Sequence, residues 1–386
     1  MAVITESEQI ASGYVAVEIV DSDVHPTARP NELLNYVDGD ARALLARHPR
    51  EPYENHNYYD VPDFQHASAM RLDAFPPSGG FPGSDPDFAA HQLMREAGVS
   101  IGILEPLGGD HPNVEIEHAH KSAVNAWLAD VWLSAPHGRW RGSISVSANV
   151  PDRAAAEIER WASDDRFVQV LISPQIKVGF GDRSLDPIYA AASEHGLPVS
   201  THLMGLGPYE AGPTMPYGME SHWLDYLTAW PLTFANHLMS LIFEGTFERH
   251  PKLMVVFTEG AFTWALPTIW RMDKMWEARR SDVPLVKRRP SEYVRDHVRF
   301  TTQPMEEPED ASGYTRYLEW LDAGRILLFS SDYPHWSYDD PGWAVKQFPK
   351  STRERIMRGN AIELYGLPSA VRALDDEPVD EVGGAV

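Results

Sequence analysis

The stretch VEIVDSDVHPT, residues 17–27, carries Asp21, Asp23 and His25 at alternate positions behind an apolar run. Alternate residues of a β-strand face the same side. The reading is a buried strand that presents three titratable side chains together at its C-terminal end. Such a group needs partners, and these must come from the ends of other strands.

Working outward, eight short runs rich in Val, Ile and Phe and bounded by turn residues read as buried strands: 14–23, 99–106, 142–148, 167–173, 197–203, 253–260, 298–303 and 326–332. Helical patterns fill most of the intervals. Residues 152–164 set Ala155, Ile158 and Trp161 at helical spacing, 186–196 end in His-Gly, and 237–251 are amphipathic and stop before Pro251. Strand and helix alternating eight times predict an α/β fold, a distorted (β/α)8 TIM barrel. One barrel domain over 14–370 is expected, with irregular insertions at 27–98 and 205–236 over the catalytic mouth. Residues 1–13 are expected to form a mobile N-terminal segment, and 371–386 an acidic, disordered tail.

Composition narrows the chemistry. The formal charge of −23 opposes nucleic acid and anionic membrane as partners. There are no cysteines, which removes disulfides, thiolate metal sites and a Cys nucleophile. Any metal must be held by His, Asp and Glu. No apolar run reaches the ~20 residues of a membrane span, and the N-terminus lacks a signal-peptide pattern, so a cytoplasmic protein is expected.

Strand ends of a parallel barrel converge on one mouth. Here they supply Asp23 and His25, Glu105, Gln175, His202, Glu259, Gln303 and Asp332. Packed together without a cation, these carboxylates would repel or be forced to protonate. A divalent ion removes that difficulty, and imidazole with carboxylate suits zinc, manganese or iron. Each residue also has a plainer reading: His202 as a hydrogen-bonded core histidine, Asp332 as the opening of a turn before Pro334, Glu259 as the partner of Arg271 or another cation.

The segments DSDVH, DPIYAAASEHGLPVSTHL, GTFERHPKLMVVFTEGAFTWALPTIWRMD, ILLFSSDYPH and NAIELYG, in this order across residues 15–366, resemble the amidohydrolase superfamily. The resemblance is to its amidohydrolase-2 branch, related to aminocarboxymuconate-semialdehyde decarboxylase. It implies one catalytic metal held by Asp23, His25, His202 and Asp332, with zinc the leading ion and manganese or iron the alternatives. Many members carry His-x-His after the first strand, where this chain has Asp23. Binuclear members bridge two metals through a strand-four Lys; the run 167–173 has none, and Lys177 lies beyond it. After strand six the family shows a His followed by Gly, whereas this chain reads FTEGAF and places Glu259 there. An ionised Glu259 would repel a substrate carboxylate by up to ~4 kcal/mol at 4 Å.

The first functional expectation is a metal-dependent hydrolase of a small cyclic or aromatic substrate, with Asp332 as general base toward an activated water. The alternative is non-oxidative decarboxylation of an aromatic or unsaturated carboxylic acid, with Asp332 protonating carbon. A non-catalytic barrel would show a broken ligand set, and here all four positions hold competent ligands. Glu259 and His335 are the other catalytic candidates. His237 is a weaker one; Trp264, Trp270 and Trp276, spaced by six along a helix, read as packing, with Trp264 near enough to form a wall of the site, and His56 and His66 are lid candidates. The partner expected is a small-molecule substrate; a homodimer is expected by analogy only.

Overall fold

The computed structural model describes residues 13–47, 70–202 and 223–374. The chain enters through a short strand, β1 (Tyr14–Ala16), and then builds eight parallel strands in sequence order. These are β2 (Val20–Val24), β3 (Ile101–Leu104), β4 (Trp140–Ser145), β5 (Phe167–Ile172), β6 (Val199–His202), β7 (Val255–Thr258), β8 (Val298–Thr301) and β9 (Leu327–Leu328). The seam between β9 and β2 is closed by main-chain bonds from Ser22 N to Phe329 O (2.9 Å) and from His25 N to Tyr333 O (2.8 Å). All eight sequence-derived strands are present, and the fold is the expected (β/α)8 barrel.

Two boundaries differ. The run 14–23 is not one strand. Tyr14–Ala16 pairs antiparallel with β10 (Ala370–Arg372), and the barrel strand starts afresh at Val20. Val371 is buried in that small sheet, so ordered chain continues past residue 370, where the acidic tail was expected to begin. The outer residues of both predicted terminal segments lie outside the described residues. In the insertion 27–98, the described residues 27–47 and 70–98 include helical segments, and residues 48–69 lie outside the described residues. Its helix Gly39–Arg47 brings Leu45 against Ile116 and Ala123 of the helix Val114–Trp127. In the second insertion, residues 223–236 belong to a helix, Trp223–Phe243, which replaces the shorter one expected from 237.

The sheet is buried on both faces. Trp127 and Trp132 beside the sheet and Trp140 at the start of β4 are fully enclosed, with Trp132 and Trp140 edge to face at 5.2 Å. Losing one such ring typically costs roughly 3–5 kcal/mol. Gly102 on β3 makes room for Trp140, whose ring lies 2.5 Å from where a Cβ would stand. The helix Pro151–Trp161 follows the predicted 3.6-residue period and buries Ala154, Glu157 and Ile158 toward the barrel. Its neighbour Asp186–Glu194 ends, as expected, before Gly196 in the left-handed conformation (φ +68°). No helix among the described residues is long and apolar enough to cross a membrane.

Candidate metal site

The four residues proposed as ligands arrive from three remote parts of the chain. Asp23 is the penultimate residue of β2 and His25 follows that strand, His202 ends β6, and Asp332 follows β9. All four are fully buried, and one ligand atom from each lies within 4.8 Å of all the others. His25 Nε2 is 3.2 Å from Asp23 Oδ1 and 3.0 Å from Asp332 Oδ1. His202 Nε2 is 3.4 Å from the same Asp23 oxygen. Ligands at ~2.1 Å from one ion are roughly 3.0–3.4 Å apart along the edges of an octahedron or tetrahedron. The spacing therefore fits one cation.

The opening strand behaves differently from a simple alternation. A register shift between Asp21 and Val24 breaks the two-residue period. Asp23 and His25 reach the cluster, but Asp21 turns to the seam. There it accepts hydrogen bonds from Ser331 N (2.9 Å) and Ser331 Oγ (2.5 Å). Asp21 thus ties the first barrel strand to the segment that carries Asp332.

Each ligand atom is aimed by a neighbour. His25 Nδ1 donates to the main-chain oxygen of Glu105 (2.8 Å), which leaves Nε2 facing the cluster. Asp332 sits at φ +64°, a backbone state costly for a non-glycine residue. Its Oδ2 accepts from Gln303 Nε2 (3.1 Å) and Ser337 Oγ (2.7 Å), and its Oδ1 faces His335 Nδ1. Glu259, also at positive φ (54°), is held by a bond from its N–H to Thr301 Oγ1 (3.0 Å). Gly260 beside it is obligatory, since a Cβ there would lie 1.8 Å from the Phe234 ring.

The electrostatics argue for a cation as directly as the distances. Burial, with Asp332 and Asp21 as like-charged neighbours, pushes the Asp23 carboxyl well above the usual range despite the attraction of His25. Glu259 is raised likewise, by burial and then by Asp332, Asp23 and Glu105. Burial pushes Glu105 up to about 7. Asp332 is the exception: burial would raise it, but His335 and His25 together hold it below the ordinary carboxylate range. Neither oxygen of Asp23 has a hydrogen-bond partner among the described residues. A carboxylate so deeply buried and so poorly hydrogen-bonded is what a metal ligand looks like before its ion is counted.

The other candidates separate clearly. Glu259 does not pair with Arg271, which is exposed on the helix Ala265–Arg279. Its Oε2 is instead 3.2 Å from His202 Nε2. Glu259, Asp332 and His335 form a second group of mutually close ligand atoms. Trp264 packs on Phe257 and Phe300 and donates to Gly260 O (2.8 Å). Trp270 is half exposed, Trp276 donates to Val286 O, and Lys177 is exposed. His56 and His66 lie outside the described residues. Sequence reasoning missed Ser337, which bonds Asp332, and Asp339, whose carboxyl is pushed up to about 7 by burial and by Asp332.

His237 is a structural residue. It stacks on Phe180 at 3.8 Å, accepts from Phe180 N (3.3 Å) and donates to Pro174 O (2.8 Å). Both ring nitrogens are thereby used in the neutral form, and burial depresses its pKa from 6.5 to about 4. A depressed folded-state value means that the unfolded chain binds the proton first. The contribution is intact above pH 6.5 and is lost as pH falls toward 4, by roughly 3 kcal/mol in all. Denaturant unfolding of the wild type and of His237→Gln between pH 7 and pH 4 checks this. The wild type is expected to lose more stability than the variant over that interval.

Fold and site together define a metal-dependent enzyme built on a (β/α)8 barrel. The sequence profile of the family described as Amidohydrolase matches residues 20–367, and the chain belongs to that family. It is 29% identical over 294 residues to a 2-amino-3-carboxymuconate-6-semialdehyde decarboxylase of Dictyostelium discoideum, covering 73% of this chain and 77% of the relative. It is 25% identical over 312 residues to a gamma-resorcylate decarboxylase of Rhizobium sp. (strain MTP-10005), covering 72% and 86%. Among solved structures, a dihydroxybenzoic acid decarboxylase from Polaromonas sp. JS666, with bound manganese and the inhibitor 2-nitroresorcinol, superposes with a TM-score of 0.63 at 19% identity. That match covers 90% of this chain and 96% of the other.

Proposed function

We propose that this chain is a metal-dependent decarboxylase of a small aromatic or unsaturated carboxylic acid. The observation that carries the reading is the double attachment of Asp332. One of its oxygens faces both His25 of the metal cluster and His335, a side chain 12% exposed at the mouth. A carboxylate wired to a partly exposed imidazole suits proton delivery to a buried reaction centre. The decarboxylase relatives favour this second reading of the sequence over hydrolysis, which the same residues were first expected to perform.

Asp23, His25, His202 and Asp332 would hold one divalent ion, which supplies a Lewis acid for the substrate carboxylate and its neighbouring oxygen or nitrogen substituent. Two carboxylates beside two imidazoles suit manganese as well as zinc. The manganese in the dihydroxybenzoic acid decarboxylase supports placing it first. In the reaction, the bond between substrate carbon and carboxylate breaks with its electron pair left on carbon. The Asp332–His335 pair delivers the proton that takes up this pair, CO2 leaves, and His335 draws the next proton from solvent. Gln303 and Ser337 keep the Asp332 carboxyl from rotating. Glu259 stands beside His202, where it accepts a hydrogen bond from a hydroxyl or amino substituent.

The test is a screen of carboxylated aromatics with manganese-loaded protein in D2O. The expected result is CO2 release with one deuterium on the former carboxyl-bearing carbon. Incorporation of ¹⁸O from labelled water into product, without CO2, would establish the hydrolase reading instead.

A further inference from the structure

Glu105 immediately follows β3, and it is fully buried. Its Oε1 collects three donors from three different strands: Gln169 Nε2 on β5 (2.6 Å), Ser200 Oγ on β6 (2.6 Å) and Thr258 Oγ1 on β7 (3.3 Å). Its Oε2 has no hydrogen-bond partner among the described residues. Its main-chain oxygen accepts from His25 Nδ1 (2.8 Å). The charged groups that act on it are Asp23, His202 and His25, three of the four ligand candidates. Glu105 itself is outside the group of atoms that lie within 4.8 Å of one another.

A carboxylate at this depth is expensive unless a positive charge stands nearby, and an apolar residue could fill the same volume at lower cost. Three donors gathered on one oxygen are a device for keeping it in place. The uncovered oxygen and the neighbouring ligands leave the ion as the charge it complements. We propose that Glu105 is a positioning residue of the metal centre. Its side chain adds a buried negative charge behind the ligand set, and its main-chain oxygen fixes the tautomer of His25. The inference rests on the metal reading above. It adds a fifth, non-coordinating residue that governs how tightly the ion is held.

The experiment is a chelator-competition titration of metal-free protein with Mn²⁺, read with the thermal midpoints of the metal-free forms. Glu105→Gln keeps the size and the acceptor oxygen but removes the charge. It is expected to weaken Mn²⁺ binding by about 10–100-fold, the usual range for outer-shell partners. Its metal-free midpoint is expected to be no lower than that of the wild type, because a charge facing Asp23 has been removed. Ser200→Ala keeps the charge and is expected to stay within about tenfold of wild-type affinity. Unchanged affinity in Glu105→Gln overturns the inference, as does a lowered metal-free midpoint with affinity intact, which is the mark of a purely structural role. Should Glu105→Gln not fold, Glu105→Met, which also removes the charge at similar volume, is read instead, and wild-type affinity there overturns the inference equally. Failure of the wild type to bind Mn²⁺ would overturn the metal assignment itself. That is a separate result from an unaffected variant.

Discussion

Asp332→Asn is expected to lower turnover by about a thousandfold while leaving much of the metal bound. Removal of a positioned proton donor typically costs 10²–10⁴-fold, and a thousandfold is about 4 kcal/mol of barrier. Asn preserves the shape and can offer its one oxygen to an ion, while its amide nitrogen, in place of Oδ2, can donate to Ser337 Oγ and to Gln303 Oε1 once that amide turns over. It cannot form the carboxyl–imidazole pair with His335, which the wild type makes through Asp332 Oδ1. The variant therefore separates proton delivery from ion binding. Turnover would be followed as CO2 release, with metal content measured by elemental analysis on the same preparation. Activity within tenfold of the wild type would remove Asp332 from the chemistry. Loss of activity in step with loss of metal would reduce it to a ligand.

The second large effect concerns the ion and the stability of the barrel. Chelation is expected to abolish activity and to lower the unfolding midpoint, because Asp23 and its neighbours are left as crowded, buried carboxylates. An ion present at a thousandfold over its Kd stabilises the folded state by about 4 kcal/mol. Calorimetry of the protein with and without Mn²⁺ measures this directly. His202→Ala removes one of the four ligand atoms and leaves the surrounding barrel wall in place. It is expected to weaken the ion by about 100-fold or more, beyond the outer-shell range, and to erase most of the Mn²⁺-dependent rise in midpoint. A midpoint indifferent to metal in the wild type would mean that the four side chains are satisfied without it.

Much of this was legible because a parallel barrel writes its strands as continuous buried runs and gathers their ends. Each of the eight runs overlaps a barrel strand, and His202, Glu259 and Asp332 fall at or just beyond strand ends, where functional residues of such folds collect. What stayed hidden depended on exceptions to regular geometry. The shift after Asp21 separates it from Asp23 and His25, and no sequence pattern marks it. The last strand is only Leu327–Leu328, and Asp332 beyond it sits at positive φ, neither of which the apolar run 326–332 marks. The donors to Glu105 are a Gln, a Ser and a Thr on three strands, residue types common in any sheet, so nothing local betrays their convergence. Ser337 was invisible for a similar reason, since only the turn after Tyr333 brings it back to Asp332.

The central claim is that Asp23, His25, His202 and Asp332 surround one divalent ion. The most direct measurement is an anomalous-difference map from crystals of the manganese-loaded protein. The account predicts a strong peak bounded by these four side chains at ordinary coordination distances. A map in which manganese lies elsewhere, or in which the four side chains meet only one another, would contradict it.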